Sequence, residues 1–298
     1  MSKNLVYKYV SIDTLKRILG GCIRMTQPGA FNDPFELLPE IVVRDDQAEE
    51  QLSLSFDILA PRRTNAIEAV FQVSDGFVAS DFTSRNILDA LNKQVGILCL
   101  SKAPNSILMW SHYADQYQGA VIAFDGDHEV FTGLVPIEYV EERPKKHIDT
   151  YKSEPVPLAE LCAKSLEWQY EQEVRVIRAL RDCKKTEHSD SRGFPVFTAD
   201  VPQNAIVTVA LGERTSVVQQ REIYNLLHQT KIGLTLSAVD NVGYGFRQEV
   251  ILYPGDFRNP TISPRTAHIF VGTDSPWAEV ARWMIDSHPL SPIVNKTL

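Results

Sequence analysis

Hydrophobic and polar positions follow one another in short runs along the chain, and the period of each run predicts the element it forms. Near residue 100, two apolar runs of strand length, 96–101 and 119–124, enclose a segment with helical spacing. In that segment, residues 106–115 are predicted to form a helix, because Asn105 or Ser106 can cap the free amides of a first turn. The pattern therefore predicts a strand–helix–strand unit at the centre of the chain.

The predicted central helix has an apolar and a polar face. Trp110 lies on the apolar face, as expected of a core aromatic. Ser111, His112 and Asp115 lie next to one another on the polar face. Two interpretations of His112 stay open: it bonds Asp115 in a structural role, or it lines a polar cleft with Ser101, which closes the first strand.

The remaining runs predict an α+β fold with a mixed, mostly antiparallel sheet core flanked by helices. Further strands are predicted over residues 5–10, 22–26, 134–140, 170–177, 205–212, 235–238 and 249–253. Further helices are predicted over residues 12–19, 158–166, 217–229 and 277–287. Residues 44–94 are more polar and predict a helical insertion, with helices around 64–71 and 84–93. The predicted organisation is one domain over residues 1–253, insertion included, with a docked appendage over 254–298.

The predicted strand over residues 170–177 is unusually acidic. Its period of two places Glu171, Glu173 and Arg175 on one face. Buried carboxylates are costly unless they are paired, and Arg175 can supply a bidentate partner. The three charges form either a structural salt bridge on an exposed face or the lining of a functional site.

A loop with the sequence Phe-Asn-Asp-Pro-Phe-Glu begins at Phe31. Its Asn-Asp-Pro string favours a turn, because the two polar side chains can bond their own backbone and proline disfavours helix before it. Phe31 and Phe35 are predicted to anchor the loop to the core, while Asn32, Asp33 and Glu36 stay polar. The loop is therefore either a plain turn or part of a pocket.

Composition, net charge and cysteine spacing indicate which classes of protein this chain can belong to. The 298 residues are 44% hydrophobic and 23% charged, which is typical of soluble globular proteins. A formal net charge of −8 argues against a broad phosphate-binding surface. The four cysteines show no CxxC spacing and predict buried, reduced thiols rather than a disulfide frame or a zinc site. Without a signal-peptide pattern or an apolar stretch of membrane length, we expect a cytoplasmic protein with no membrane partner.

Several motifs occur in a fixed order along the chain. They are Tyr-Lys-Tyr at 7–9, a helix that ends in Gly-Gly at 20–21, the Phe-Asn-Asp-Pro-Phe-Glu loop at 31–36, Met-Trp-Ser-His-Tyr at 109–113, and Trp-Gln-Tyr-Glu-Gln-Glu-Val-Arg at 168–175. Together they resemble a bacterial family of unknown function, numbered 2971, over residues 5–250. That family brings no settled biochemistry.

The order of Lys8, Ser101 and the Glu171-x-Glu173 pair also resembles the ADP-ribosyltransferases. Those enzymes place a polar residue on a first strand, a serine-bearing motif on a middle strand and often Glu-x-Glu on a late strand. Where they carry histidine or arginine on the first strand, this chain has Tyr-Lys-Tyr at 7–9. The departure leaves the position of the nicotinamide ribose open. The resemblance implies a split sheet and NAD as a substrate.

The chemistry implied by this second resemblance is cleavage between nicotinamide and ribose through a cationic transition state that a carboxylate stabilises. In the implied roles, Glu173 bonds the ribose, Glu171 orients the acceptor and Ser101 supports Glu173. Implied NAD contacts are stacking by Tyr7 or Tyr113 and pyrophosphate binding by Lys8 or Arg24, while Arg175 keeps the carboxylates ionised. The candidate catalytic residues are Glu173, Glu171, Ser101 and His112. The candidate NAD-binding residues are Tyr7, Lys8, Tyr9, Arg24, Asn32, Asp33, Tyr113 and Arg175.

The resemblance also implies a biological setting. A nucleic acid or a protein would be the acceptor, and the chain would be a toxin or a phage-defence effector.

Two other functions stay open. One is a metal-dependent nuclease or phosphodiesterase holding magnesium or manganese. Its ligands would be Asp33, Glu36, His112, Glu171 and Glu173, although no compact ligand motif supports the set. The other is a non-catalytic sensor or interaction module whose polar pocket binds a nucleotide, a dinucleotide or a partner loop.

Overall fold

A computed structural model describes residues 4–38, 40–42, 50–59, 64–73, 79–151, 156–255 and 259–295. The helices in these ranges are α1 Ile12–Leu19, α2 Ala79–Gln94, α3 Ile107–Tyr113, α4 Val217–Leu227, α5 Ala278–Asp286 and α6 Ser291–Val294. The strands are β1 Leu5–Val10, β2 Cys22–Met25, β3 Glu40–Val42, β4 Glu50–Leu59, β5 Thr64–Val73, β6 Val95–Ser101, β7 Ala120–Asp125, β8 Val135–Pro136, β9 Glu138–Val140, β10 Lys145–His147, β11 Val156–Pro157, β12 Ala163–Ser165, β13 Glu173–Ala179, β14 Lys184–Ser189, β15 Pro195–Asp200, β16 Ile206–Leu211, β17 Gly233–Val239 and β18 Phe246–Leu252. None of the described helices combines the length and the apolar character that crossing a membrane requires.

The chain forms two compact units, each assembled from separate segments. Unit 1 comprises Met1–Gly21, Ala103–Gly126 and Pro202–Leu298, and unit 2 comprises Cys22–Lys102 and Asp127–Val201. Both units combine strands with helices, so the predicted α+β class is confirmed. The predicted division into a domain and an appendage at residue 253 stays a prediction.

Unit 1 contains a mixed, mostly antiparallel sheet, as the sequence predicts. Its strands lie in the order β18-β17-β16-β7-β1, with β16 and β17 parallel and the other pairs antiparallel. Helix α1 follows β1, and its cap Ser11 accepts a hydrogen bond from the amide of Thr14. The helix stops at Gly20, and Gly21 adopts a left-handed conformation with φ of 93°.

Helix α3 forms where the sequence predicts it but is shorter. Ser106 caps it by accepting from the amide of Met109. The helix ends two residues before the predicted end, because residues 115–117 all have positive φ, which breaks the helical hydrogen-bonding pattern. Trp110 is 1% exposed and meets the ring of Tyr9 edge-on at 5.6 Å between centroids, as expected of a core aromatic.

Unit 2 combines several small sheets with strands β6, β13 and β8 and contains a hydrophobic core. Strand β13 pairs antiparallel with β6 and with β8, and this register places Glu173 opposite Ser101 and Arg175 opposite Cys99. Apolar side chains from strands, helix α2 and loops form this core. They include Leu37, Ile41, Phe56, Ile87, Leu91, Ile97, Ile137, Ile148, Leu158 and Ile177.

The predicted helical insertion at 44–94 is only partly helical. The helix predicted over 84–93 lies within α2 and is confirmed. The helix predicted over 64–71 is wrong, because this segment is strand β5, paired antiparallel with β4 along ten positions. A short apolar run can satisfy either period, and here strand pairing decides. Residues 44–49, 60–63 and 74–78 of the insertion lie outside the described residues.

The helix predicted over 158–166 is also wrong. A single 3-10 turn, Leu158–Leu161, is followed at once by strand β12, which pairs parallel with β9. This strand pairing replaces the helical turns that the apolar spacing favours. The change matters because β12 carries a residue of the site described below.

Candidate functional site

Five charged side chains are buried together in unit 2. Glu173 and Arg175 come from strand β13, and Lys164 comes from β12. Glu171 ends the 3-10 turn before β13, and Glu36 follows the Asn-Asp-Pro turn. Each of the five is at most 8% exposed. We call this set the ion cluster.

Arg175 joins two of the carboxylates. Its Nη1 and Nη2 lie 2.5 and 2.7 Å from the two carboxylate oxygens of Glu36, a bidentate pair. Its Nε lies 2.7 Å from Oε1 of Glu173. The sequence-based prediction that Arg175 pairs with buried carboxylates is therefore confirmed, and the alternative of a salt bridge on an exposed face is wrong.

Lys164 joins the remaining carboxylate to the same network. Its Nζ lies 2.8 Å from Oε2 of Glu171 and 2.7 Å from Oε2 of Glu173. Oε2 of Glu36 is 3.8 Å away. Three carboxylates and two cations give the ion cluster a formal charge of −1.

Neighbouring charges shift the pKa values of three members of the ion cluster, Glu173, Lys164 and Arg175. Burial raises the pKa of Glu173, but the charges of Arg175 and Lys164 outweigh it and lower that pKa to about 2. Burial lowers the pKa of Lys164, but Glu173 and the other carboxylates raise it above its ordinary value. Arg175 is fully buried, and its pKa is likewise raised, since Glu36 and Glu173 outweigh the effect of burial.

A local turn brings Glu171 beside Glu173, although Glu171 is not on the strand. The predicted strand over 170–177 begins only at Glu173, because Gln172 is left-handed with φ of 45°. The Ser101 hydroxyl donates to the Glu171 carbonyl at 2.5 Å. The Glu173 amide donates to the Tyr139 hydroxyl at 2.8 Å. These bonds fix the turn, so both carboxylates can reach Lys164.

A cavity of about 620 Å³ in unit 2 reaches the ion cluster at Lys164. Two aromatic side chains line it, Phe35 and the half-buried Trp168. A cation lies over each ring: Arg143 is 5.9 Å from the centroid of Phe35, and Nζ of Lys164 is 5.4 Å from that of Trp168. Cavities of this size hold small-molecule ligands in many proteins. We call this space the cavity.

The structure divides the candidate residues between the two units. Unit 2 contains Ser101, Glu171, Glu173, Arg24, Asn32, Asp33 and Arg175. Unit 1 contains His112, Tyr7, Lys8, Tyr9 and Tyr113.

Two of the unit 2 candidates have defined surroundings. Asp33 lines the cavity and accepts the amide of Phe35 at 2.9 Å. The Nη2 of Arg24 lies 2.5 Å from Asp190, so this guanidinium is already paired with a carboxylate.

In unit 1, the Tyr9 side chain is buried and hydrogen-bonded, whereas the His112 side chain lies at the surface. The Tyr9 hydroxyl donates to the carbonyl of Ala103 and accepts from the amide of Ser106. Burial raises the pKa of Tyr9 to about 12. The side chain of His112 is exposed.

The two phenylalanines of the Asn-Asp-Pro loop behave differently. Phe31 packs against the core of unit 2 and lies 5.5 Å from the guanidinium carbon of Arg175, so its predicted anchoring role is confirmed. The same prediction is wrong for Phe35, which is 61% exposed. Its ring lines the cavity instead of entering the core.

Sequence reasoning missed Lys164, Trp168 and Arg143. Lys164 lies inside the segment predicted as a helix, where a lysine reads as a solvated side chain. A signal was available in its neighbours, since Leu161 and Cys162 before it are apolar. The sequence placed Glu36 in a polar loop and among possible metal ligands, but did not indicate that it pairs with Arg175.

The metal-site alternative finds no geometric support in the described part of the chain. No group of three or more His, Cys, Asp or Glu side chains among the described residues is arranged to hold a metal ion. The carboxylates of Glu36, Glu171 and Glu173 bond to Arg175 and Lys164.

The fold and the site define the class: an α+β protein with a buried ion cluster and an aromatic-lined cavity in one of its units. Residues 109–176 match the family model described as "Protein of unknown function (DUF2971)", which confirms over these residues the resemblance drawn from the motifs. The matched region contains Lys164, Glu171, Glu173 and Arg175 of the ion cluster. No curated protein and no solved structure matches the chain. The resemblance to ADP-ribosyltransferases stays a prediction.

Proposed function

We propose that this chain binds a nucleotide or dinucleotide in the cavity of unit 2. The observation that carries the proposal is the pairing of two aromatic rings with cations inside a space of about 620 Å³. A nucleotide offers a planar base for the rings and a phosphate for a cation. Each base that stacks on an aromatic side chain contributes about 1–3 kcal/mol to binding.

Arg143 is the side chain to which we assign the phosphate. Lys164 bonds to Glu171 and Glu173, and Lys146 pairs with Glu160, so these two cations already have carboxylate partners. Arg143 is exposed and lies over the ring of Phe35. A guanidinium can bind a phosphate through two parallel hydrogen bonds, which favours Arg143 for this role.

The ion cluster supports binding more directly than catalysis. Its carboxylates are buried and bonded to cations, and they fix Lys164 at the wall of the cavity. A carboxylate that stabilises a cationic transition state must reach the reacting sugar. For this reason we favour a binding module over an enzyme. We place this module in the cytoplasm, as the sequence predicts.

Calorimetric titration with ATP, GTP and NAD tests this proposal. We expect binding by at least one of them, and about a tenfold loss of affinity in Trp168→Ala from the lost stacking. Trp283→Ala is the matched control, because Trp283 lies on α5 of unit 1 and is 53% exposed. Absence of binding to all three nucleotides, or equal losses in both variants, would contradict the proposal.

NAD cleavage is the second candidate, favoured by one specific observation. Ser101 lies opposite Glu173 in the strand register and bonds to the Glu171 carbonyl, in keeping with the supporting role that the ADP-ribosyltransferase resemblance implies. The acceptor would be a nucleic acid or a protein, as expected of a toxin or phage-defence effector. Mass detection of released nicotinamide tests it: wild type should release nicotinamide, and Glu173→Gln should not. The exposed Glu142→Gln serves as the control. No release by the wild-type protein rules this candidate out.

A further inference from the structure

Negative charge exceeds positive charge around the cavity. Among the described residues, four carboxylates line it, those of Asp33, Glu141, Glu160 and Glu167. Three cations from the same part of the chain line it, those of Arg143, Lys146 and Lys164. These seven side chains have a formal charge of −1 before the rest of the ion cluster is considered.

The buried groups behind the lining increase this imbalance. Glu36, Glu171 and Glu173 lie behind Lys164 with Arg175 as the further cation. Charges buried in this way are screened by salt much less than exposed ones are. A ligand with several negative charges, such as a triphosphate, therefore meets an unfavourable field, and a ligand that carries a positive charge meets a favourable one.

The aromatic side chains that line the cavity also favour a ligand with a positive charge. The rings of Phe35 and Trp168 each have a protein cation within 6 Å of the centroid, the distance at which a ring attracts positive charge. Arg143 is exposed, so it can leave the ring of Phe35 at low cost. A planar cation that replaces Arg143 over this ring would free the guanidinium for a phosphate of the same ligand.

On the basis of the proposed function, we infer that the ligand carries a planar, positively charged ring together with few phosphate charges. The chemical class is a nucleotide whose heteroaromatic ring bears a fixed positive charge. Oxidised and reduced nicotinamide dinucleotides form a matched pair of probes, because they share both phosphates and the adenosine. Only the oxidised form has the charged ring. The 1-methylnicotinamide cation and neutral nicotinamide form a smaller pair with the same difference in charge.

Titration calorimetry with the two dinucleotides and with ATP tests the inference. We expect the oxidised dinucleotide to bind about tenfold more tightly than the reduced form, from one cation–aromatic contact. Glu141→Gln should lower the ratio of the oxidised to the reduced affinity about threefold, because a carboxylate that attracts the charged ring is lost while the phosphates of the two ligands are the same. Glu142→Gln is the control: it removes a neighbouring exposed carboxylate that is not among the residues lining the cavity.

The outcomes separate this inference from the proposed function. Equal affinities for the two dinucleotides, or tighter binding of ATP, would contradict the inference that the ligand has a positively charged ring. The proposal that the cavity binds a nucleotide would still stand. If none of the three binds, this inference fails, and the proposed function fails as well when GTP also does not bind. Tighter binding of 1-methylnicotinamide than of nicotinamide by wild type, with the difference reduced in Phe35→Ala, supports the inference independently of the phosphates.

Discussion

At the scale of the single residue, Arg175 holds the ion cluster together. It is fully buried and donates hydrogen bonds to both Glu36 and Glu173. Removing one partner of a buried pair leaves the other charges without compensation, and this costs more than the pair contributes when intact. Arg175 is therefore a structural residue whose loss disturbs the wall of the cavity through Glu173 and Lys164.

We predict that Arg175→Met lowers the free energy of unfolding by about 3–5 kcal/mol, because two carboxylates stay buried without their cation. Urea denaturation followed by circular dichroism measures the change. The control Arg143→Met removes an exposed arginine and should cost less than about 0.5 kcal/mol. A loss below about 1 kcal/mol for Arg175→Met would show that the ion cluster is not a stabilising unit.

Glu173 gives a prediction for pH dependence. Its folded pKa of about 2 lies below the ordinary 4.5, so the unfolded chain binds more protons between these values. Stability is therefore fully present above pH 4.5 and is lost as pH falls towards 2, by about 3 kcal/mol in all for this carboxyl. Unfolding at a series of pH values measures it. In Glu173→Gln the slope over this window should be smaller, and an unchanged slope would contradict the assignment.

The chemistry of a single residue was predictable from the sequence, but its choice of partner was not. The need of Arg175 for carboxylates follows from its position among glutamates on an apolar strand. Its bidentate partner Glu36 lies 139 positions earlier, and local spacing says nothing about a contact of that range. Lys164 was missed for the same reason, since β12 and the turn that brings Glu171 to it form only in the folded chain.

At the scale of the element, the turn before β13 decides the geometry of the site. Alternation along 170–177 correctly indicated that Glu171 and Glu173 share surroundings, but for the wrong reason. The two side chains meet because Gln172 takes a left-handed conformation that ends the 3-10 turn. The alternation of side chains along a strand does not reveal such a turn. Glutamine is also not a residue type that indicates positive φ.

This turn supplies a third prediction. Gln172→Val should lower the free energy of unfolding by about 1–3 kcal/mol, because a β-branched residue is strained at φ of 45°. Gln172→Gly should cost little, since glycine adopts this conformation freely. Thermal and urea unfolding of the two variants measure the difference. If valine is tolerated as well as glycine, the left-handed turn does not exist in solution.

The same scale explains the two helices predicted in error. Residues 64–71 and 158–166 have apolar spacing that suits a helix. These segments instead contribute strands β5 and β12, which pair with β4 and β9. The elements predicted correctly, such as α1 and α3, carry a serine cap as well as a periodic stripe. Capping chemistry is local, so it can be read from the sequence, whereas strand partners are distant and cannot.

At the scale of the whole molecule, both units are discontinuous in sequence, so no single cut of the chain separates them. Residues after β18 belong to unit 1, and Arg221 of α4 donates to the carbonyls of His268, Ile269 and Val271. Phe270 is 1% exposed and meets the ring of Tyr224 edge-on. The α+β class was predictable from the sequence, but the assembly of each unit from distant segments was not.

A fourth prediction follows for a chain that ends at Gly255. It should lose at least about 3 kcal/mol of stability in unit 1, because the buried side chains of Ile269 and Phe270 are removed. Differential scanning calorimetry measures the loss, and Ile293→Ala, at a side chain that is 65% exposed, is the control. A shortened chain as stable as the full one would mean that the last residues are a separate appendage.

The most direct test of the account is the affinity of the protein for nucleotides, measured by titration calorimetry on wild type, Trp168→Ala and Trp283→Ala. We predict saturable binding by wild type and by Trp283→Ala, and about tenfold weaker binding by Trp168→Ala. Binding that is equal in all three proteins, or absent from wild type, would contradict the assignment of the cavity as a nucleotide site.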